Sequence, residues 1–360
     1  MEKATQFTFE SPHYETFQYV AVSPHRIPTP NLLVVARRAS SRRNFPDSED
    51  LLLLKPVPVA WIFLPQRLRV FQPATTSLCW SLVPWVDRAC NSREREFAVV
   101  STREEIIILP LSTSEESPFG GPEHTLRTSV SLSGCVMQPS VPRLVFAGES
   151  VVGKVDLSLT DDGLSATLKE MRSDWVAEKG ELRFLCISCV ERKVEVVLGD
   201  SEGRVYICLI DSSSDTFSLV KEITLPFAVH SLSLCLVRAS TILLVSALGA
   251  EGQAIALHLD SKSLSECEVR CLPTETPLRF ASWFQSDQLI FLTAVDSGNK
   301  IFFWKEEQVK AGGKAWELWG MRPLGAPGVA LAWHTTERQW LAYCTRCQVA
   351  LVDMWEVDHL

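Results

Sequence analysis

Long apolar runs are missing from this 360-residue chain. The longest, such as Val57–Leu64, fall far short of the roughly 20 residues a membrane-spanning helix requires, so no bilayer-crossing helix is expected. The opening MEKATQFTFE lacks the apolar core of a secretory signal, and no Asn-x-Ser/Thr acceptor occurs anywhere. The 11 cysteines are odd in number and sit mostly inside strand-like runs (Cys79, Cys186, Cys208, Cys235). They read as small buried hydrophobes in a reducing compartment, not as a disulfide framework. Cytoplasm or nucleus is the expected location. Net basic charge is also lacking: a formal charge of −8 and a pI near 5.5 exclude a global positive field for non-specific nucleic-acid binding.

Catalytic signatures are equally scarce. There is no Gly-x-Ser-x-Gly elbow, no glycine-rich phosphate loop and no His-Glu-x-x-His. The 7 histidines are scattered, with His230, His258 and His334 in strand-like runs and none at ligand spacing from another. Two Cys-x-x-Cys pairs exist, Cys186/Cys189 and Cys344/Cys347, which together contain enough thiolates for a zinc site. The first pair lies within a strand, where residues three apart face opposite sides, and the two pairs belong to distant repeats. No metal, no cofactor and no enzymatic activity are expected. A polar constellation converging from several repeats on a central channel is the less favoured alternative, because such a site leaves no local motif.

What the chain does contain is a strand that returns. Short apolar strands recur at Leu51–Leu54, Ile106–Leu111, Lys154–Leu159, Arg204–Ile210, Ala254–Leu259, Lys300–Trp304 and Val349–Trp355, at steps of 55, 48, 50, 50, 46 and 49 residues. A period of about 40–50 residues with several strands per period and no helical pattern between them specifies a β-propeller. The expectation is an all-β, seven-bladed propeller occupying residues 1–360 as a single domain.

The later repeats show the blade most clearly. EVVLGDSEGRVYICLID, TILLVSALGAEGQAIALHLD, QLIFLTAVDSGNKIFFWK and QWLAYCTRCQVALVDMWE each read as two strands around a tight polar or glycine-containing turn. A further strand precedes each pair (Leu182–Val190, His230–Val237, Leu278–Phe284, Val329–His334), and another follows most of them, such as Phe217–Ile223. In period and strand order these repeats resemble the WD40 family, with Ile301–Trp304 and Val349–Trp355 nearest its third-strand pattern. The Gly-His opening of that family is absent, and its Trp-Asp ending is replaced by Trp304-Lys305 and Trp355-Glu356. The resemblance implies a WD40-like propeller with degenerate repeats.

After Val349–Trp355 only Glu356–Leu360 remain, too few for an outer strand. Gln6-Phe7-Thr8-Phe9-Glu10 alternates polar and apolar residues ahead of an inner strand at Phe17–Val22. A strand at about residues 5–10 is therefore expected to complete the last blade and close the ring, removing an open edge. Between Asn31–Ala36 and Leu51 the polar sequence predicts a protruding loop over about residues 37–50, and Ser112–His124 and Glu306–Lys314 are further loops.

Two local features are candidates for recognition. Arg37, Arg38, Arg42 and Arg43 concentrate positive charge on an acidic protein. Either they form a solvated loop balanced by Asp47, Glu49 and Asp50, or they bind an acidic or phosphate-bearing partner. Ser40 follows two basic residues and is a candidate phosphorylation site. Trp316 and Trp319 fall on an expected outer strand, where residues three apart face opposite ways. Either both fill the core on the two sides of a blade, or Trp319 is buried and Trp316 is an outward partner anchor. The expected function is a non-catalytic protein–protein interaction scaffold, a subunit of a larger intracellular complex. The alternative is a nucleic-acid-associated accessory subunit using the Arg37–Arg43 loop.

Overall fold

The computed structural model describes residues 6–24, 29–38, 48–72, 75–86, 92–111, 123–138, 142–149, 151–160, 163–171, 173–179, 182–189, 195–211, 215–236, 242–249, 251–260, 267–272, 277–285, 290–308, 314–335 and 339–354. They form two compact units, one of residues 1–73 with 237–360 and the other of residues 74–236.

The first unit opens with β1 (Gln6–Glu10), β2 (Tyr14–Val22), β3 (Leu32–Arg38), β4 (Glu49–Val57) and β5 (Ile62–Phe71). The second contains β6 (Thr75–Val86), β7 (Ser92–Thr102), β8 (Glu105–Pro110), β9 (His124–Arg127), β10 (Leu132–Gln138), β11 (Arg143–Gly148), β12 (Val151–Thr160) and β13 (Gly163–Met171). It continues through the helix α1 (Asp174–Lys179), then β14 (Phe184–Cys189), β15 (Glu195–Asp200), β16 (Arg204–Asp211), β17 (Thr216–Thr224) and β18 (Val229–Leu236). The chain then returns to the first unit with β19 (Ile242–Gly249), β20 (Ala254–Asp260), β21 (Cys267–Cys271), β22 (Leu278–Gln285), β23 (Ile290–Asp296), β24 (Lys300–Gln308) and β25 (Lys314–Pro323). Last come β26 (Gly328–Thr335), β27 (Gln339–Thr345) and β28 (Gln348–Asp353).

Strands pair with their sequence neighbours in four-stranded antiparallel sheets. In the second unit these are β6–β9, β10–β13 and β14–β17; in the first, β22–β25 forms another, and β2–β5 pair in order. The recurrent apolar runs fall in β4, β8, β12, β16, β20, β24 and β28, every fourth strand of the chain. The three strands β26–β28 gain their fourth from the start of the chain. β1 runs antiparallel to β28, with Gln6 opposite Val352 and Glu10 opposite Gln348.

The middle strands read as continuous apolar runs because both of their faces are covered. In β11, Leu144 and Phe146 join a cluster with Phe97, Val99 and Ile108, whereas Val145 and Ala147 join one with Phe184, Leu198 and Tyr206. Alternate side chains of one strand thus feed two different interfaces. Outer strands behave differently: β17 alternates buried and solvent-facing residues, with Phe217 and Ile223 buried and Thr216 and Ser218 exposed. The β15–β16 turn shows how sequence fixes a hairpin. Asp200 Oδ1 accepts from the amides of Glu202 and Arg204 at 2.9 and 2.8 Å, and Gly203 takes φ of 87°, a conformation that costs glycine least.

The helix α1 departs from the all-strand expectation. Its Trp175 packs on Tyr206, with ring centroids 5.0 Å apart, and edge-on to Phe217 at 5.6 Å. Six residues are too few to stand alone as a helix; tertiary burial of that indole holds it, and one helical turn leaves no periodic trace in sequence.

Candidate partner-binding surface

The arginine cluster is not a single loop. β3 extends through Arg37 and Arg38, and β4 begins at Glu49, so the expected loop of residues 37–50 is bounded by strand at both ends. The pairing Arg37↔Glu49 and Ala36↔Asp50 continues a ladder begun in the apolar Leu32–Ala36 segment, and ladder hydrogen bonds outweigh the local polar composition. Ser40, Arg42 and Arg43 lie outside the described residues.

Glu49 and Asp50, expected as loop counter-charges, are instead buried at 3% and 1% exposure. Asp50 Oδ2 accepts from the Tyr14 hydroxyl and from Arg38 Nε, each at 3.1 Å, and Arg67 Nη1 lies 4.0 Å away. Burial, followed by the charge and hydrogen bond of Asp50, pushes the Tyr14 hydroxyl pKa up to about 12. Asp50 Oδ1 is buried without a hydrogen-bond partner among the described residues. Arg38 is therefore committed to an internal carboxylate, which desolvation makes dependent on it.

On the tryptophan side, β25 pairs with β24 and carries a bulge, since Leu318 faces Trp304 and Gly320 faces Phe303. The extra residue is Trp319, whose ring meets Phe303 edge-on at 6.4 Å and packs against a core that includes Val295, Ile301 and Leu331. Trp319 is half-buried. Trp316 lies in β25 opposite Glu306, and its side chain is outside the described set. Leu318 and Met321 of the same strand are exposed.

Among the cysteines, Cys186 is buried in β14 and its thiol donates to the Val229 carbonyl at 3.3 Å; burial pushes its pKa far up. Cys344 is buried in β27, whereas Cys347 is exposed in the β27–β28 turn. Burial likewise raises the pKa of Cys344. These buried thiols are poor nucleophiles and poor ligands. No group of three or more His, Cys, Asp and Glu side chains converges at metal-binding distances among the described residues. No helix of the described residues is long and apolar enough to cross a membrane.

One charge cluster has no sequence signature. Lys154, in the middle of β12 and 2% exposed, pairs with Asp156 at 3.4 Å and with Asp215. Arg143 reaches Asp156 at 2.6 Å, and Lys169 reaches Asp215 at 3.1 Å. Hydrogen bonds from Lys154 and then Lys169 hold the Asp215 carboxyl below its usual range. The only hint in the sequence was a lysine inside an apolar strand run; its partner Asp215, about 60 residues away, is supplied by packing. Three cations share two carboxylates, with Lys154 bridging Asp156 and Asp215, an arrangement that ties the neighbouring strands together.

No family model and no curated protein matches the chain in sequence. Solved structures do match, over 96–98% of its length. The β-propeller domain of Cps50 (Swd1) from Myceliophteria thermophila superposes with a TM-score of 0.60 at 12% identity, over 96% of this chain and 98% of that one. BBS1N, in complex with ARL6DN, gives 0.56 at 12% identity, covering 97% and 96%. A chain of the mitotic checkpoint complex gives 0.59 at 8% identity, covering 96% and 90%. The fold is a WD40-type β-propeller. At these identities the likeness speaks for the fold alone. The propeller lacks the family's Trp-Asp ending, and its strand pattern survives because apolar burial on both faces, rather than that motif, carries the blades.

Proposed function

We propose that the chain is a seven-bladed propeller serving as a non-catalytic protein-interaction scaffold within a larger assembly in the cytoplasm or nucleus. The observation that carries this is the propeller fold itself. Two of the similar structures, BBS1N with ARL6DN and the mitotic checkpoint complex, were solved with protein partners, which supports the same reading. The nucleic-acid alternative rests on Arg37, Arg38, Arg42 and Arg43. It is the weaker because Arg38 is held by Asp50, and the chain as a whole carries −8. Affinity purification of the full chain at native expression, followed by crosslinking mass spectrometry, is the test. Stoichiometric protein partners with crosslinks on the propeller are expected. A chain that purifies alone, or one whose only partner is salt-sensitive RNA or DNA lost on replacing the four arginines, would overturn the scaffold reading.

A further inference from the structure

The β4–β5 hairpin exposes large apolar side chains at its tip. Val59 is 96% exposed, Leu64 58%, Trp61 47% and Ile62 45%. These four fall within six consecutive residues, where a typical surface scatters such side chains singly. The tip is rigidly built: the amides of Ala60 and Trp61 both donate to the Val57 carbonyl, at 3.1 and 3.0 Å, and Trp61 adopts φ of 53°. The Trp61 ring packs at a tilt against Phe7, with centroids 5.1 Å apart. Register places Val57 opposite Ile62 and Lys55 opposite Leu64, so these four share one face.

The charges of the hairpin are sorted. Its acidic residues, Glu49 and Asp50, are buried, so the charges that reach solvent are Lys55, Arg67 and Arg69, all positive on an acidic chain. Lys55 stands at the tip opposite Leu64, whereas Arg67 and Arg69 lie at the far end of the hairpin opposite Leu52 and Leu51; an apolar tip with a lysine on the same face matches a ligand that is apolar and acidic. A protein segment suits it better than an anionic bilayer. β1 meets β5 only at Thr8↔Ile62, and beyond that point no strand pairs with the outer edge of β5 among the described residues. Hydrocarbon cannot satisfy those main-chain groups, whereas a polypeptide can. Pro65 removes one donor from the edge, which limits strand addition and leaves side-chain docking at the tip as the main contact.

We propose that the β4–β5 tip, formed by Val59, Trp61, Ile62 and Leu64 with Lys55, docks an acidic, apolar segment of a partner protein. This rests on the scaffold reading and names the surface it uses. The test places a photo-crosslinking benzoylphenylalanine at position 59 of the full chain in cells and sequences the crosslinked peptide. That peptide is then synthesised and its affinity measured for the unmodified chain and for a Val59→Asp, Leu64→Asp variant. Both side chains are exposed, so the variant should melt with the unmodified chain. The expected peptide carries large apolar residues together with Asp or Glu, binds less well as salt rises, and loses about tenfold or more in affinity to the variant. Failure to crosslink, a peptide without acidic residues, or unchanged affinity overturns the proposal. So does crosslinking to lipid with co-sedimentation on phosphatidylcholine vesicles only when they contain phosphatidylserine. If the variant keeps every co-purifying subunit, the docking surface is wrong while the scaffold reading stands; if the unmodified chain has no protein partner, the scaffold reading falls.

Discussion

At the residue scale, the charged groups with most influence are those placed where water is scarce. Arg38 looked like part of a solvated basic stretch, yet it donates to Asp50, which is 1% exposed. Arg38→Ala is expected to destabilise the protein by about 1–3 kcal/mol, the cost of leaving a buried acceptor short of its donor. Chemical denaturation measures it, and a neutral result would mean that Arg67, 4.0 Å away, takes over. Lys154 gives a sharper contrast. Asp156→Ala combined with Asp215→Ala strands its ammonium and should cost about 3–5 kcal/mol. Lys154→Met leaves the two carboxylates with Arg143 and Lys169 and should cost clearly less. Equal losses from the two variants would show that packing, not charge, governs the site.

At the element scale, β1 is the informative strand because it joins the two ends of the chain. It pairs with β28 over five residues, and its Phe7 is 1% exposed between Trp61, Phe63 and Trp340. Phe7→Ala should cost about 3–5 kcal/mol, in the range for a deleted core aromatic. Removing residues 1–10 should cost more, since it also reopens the outer edge of β28. Thermal melting of the two proteins checks the order; a truncated chain that melts like the full one would show that the β1–β28 ladder carries no stability. The arginine segment and the tryptophan strand teach a related lesson. Ladder pairing extended β3 and β4 into polar sequence, and a bulge in β25 turned Trp319 onto Phe303.

At the scale of the whole molecule, the four tyrosines of the chain report on the fold together. Burial raises the pKa of Tyr14 to about 12 and also raises those of Tyr19, Tyr206 and Tyr343. A phenol with a higher pKa folded than unfolded stabilises the protein fully below its ordinary value of 10.0. That stability is lost as pH climbs through the folded value. Ultraviolet titration should therefore show less phenolate at pH about 10 than four free tyrosines would give, and then a rise coinciding with loss of the native circular dichroism. A tyrosine that titrates at its ordinary value in the native protein would show that its burial is wrong. The same burial extends to the cysteines, where Cys79 is pushed to about 12.

The propeller was legible in the sequence because a blade is a local object: four strands joined by short turns, repeated at a nearly constant step, with third strands so apolar that both faces must be covered. The N-terminal strand was legible too, from the alternation at Gln6–Glu10, which pairs with β28. What only the tertiary structure decided depends on burial between residues far apart in sequence. Asp50 is sealed beneath Tyr14 and Arg38, Lys154 meets Asp215 across about 60 residues, and a single helical turn is kept by Trp175. The run Val57–Leu64 shows the limit most plainly. Its composition is that of a core strand, yet its tip faces solvent, because an apolar sequence records a preference for burial and only the packing around it determines whether this chain satisfies that preference itself.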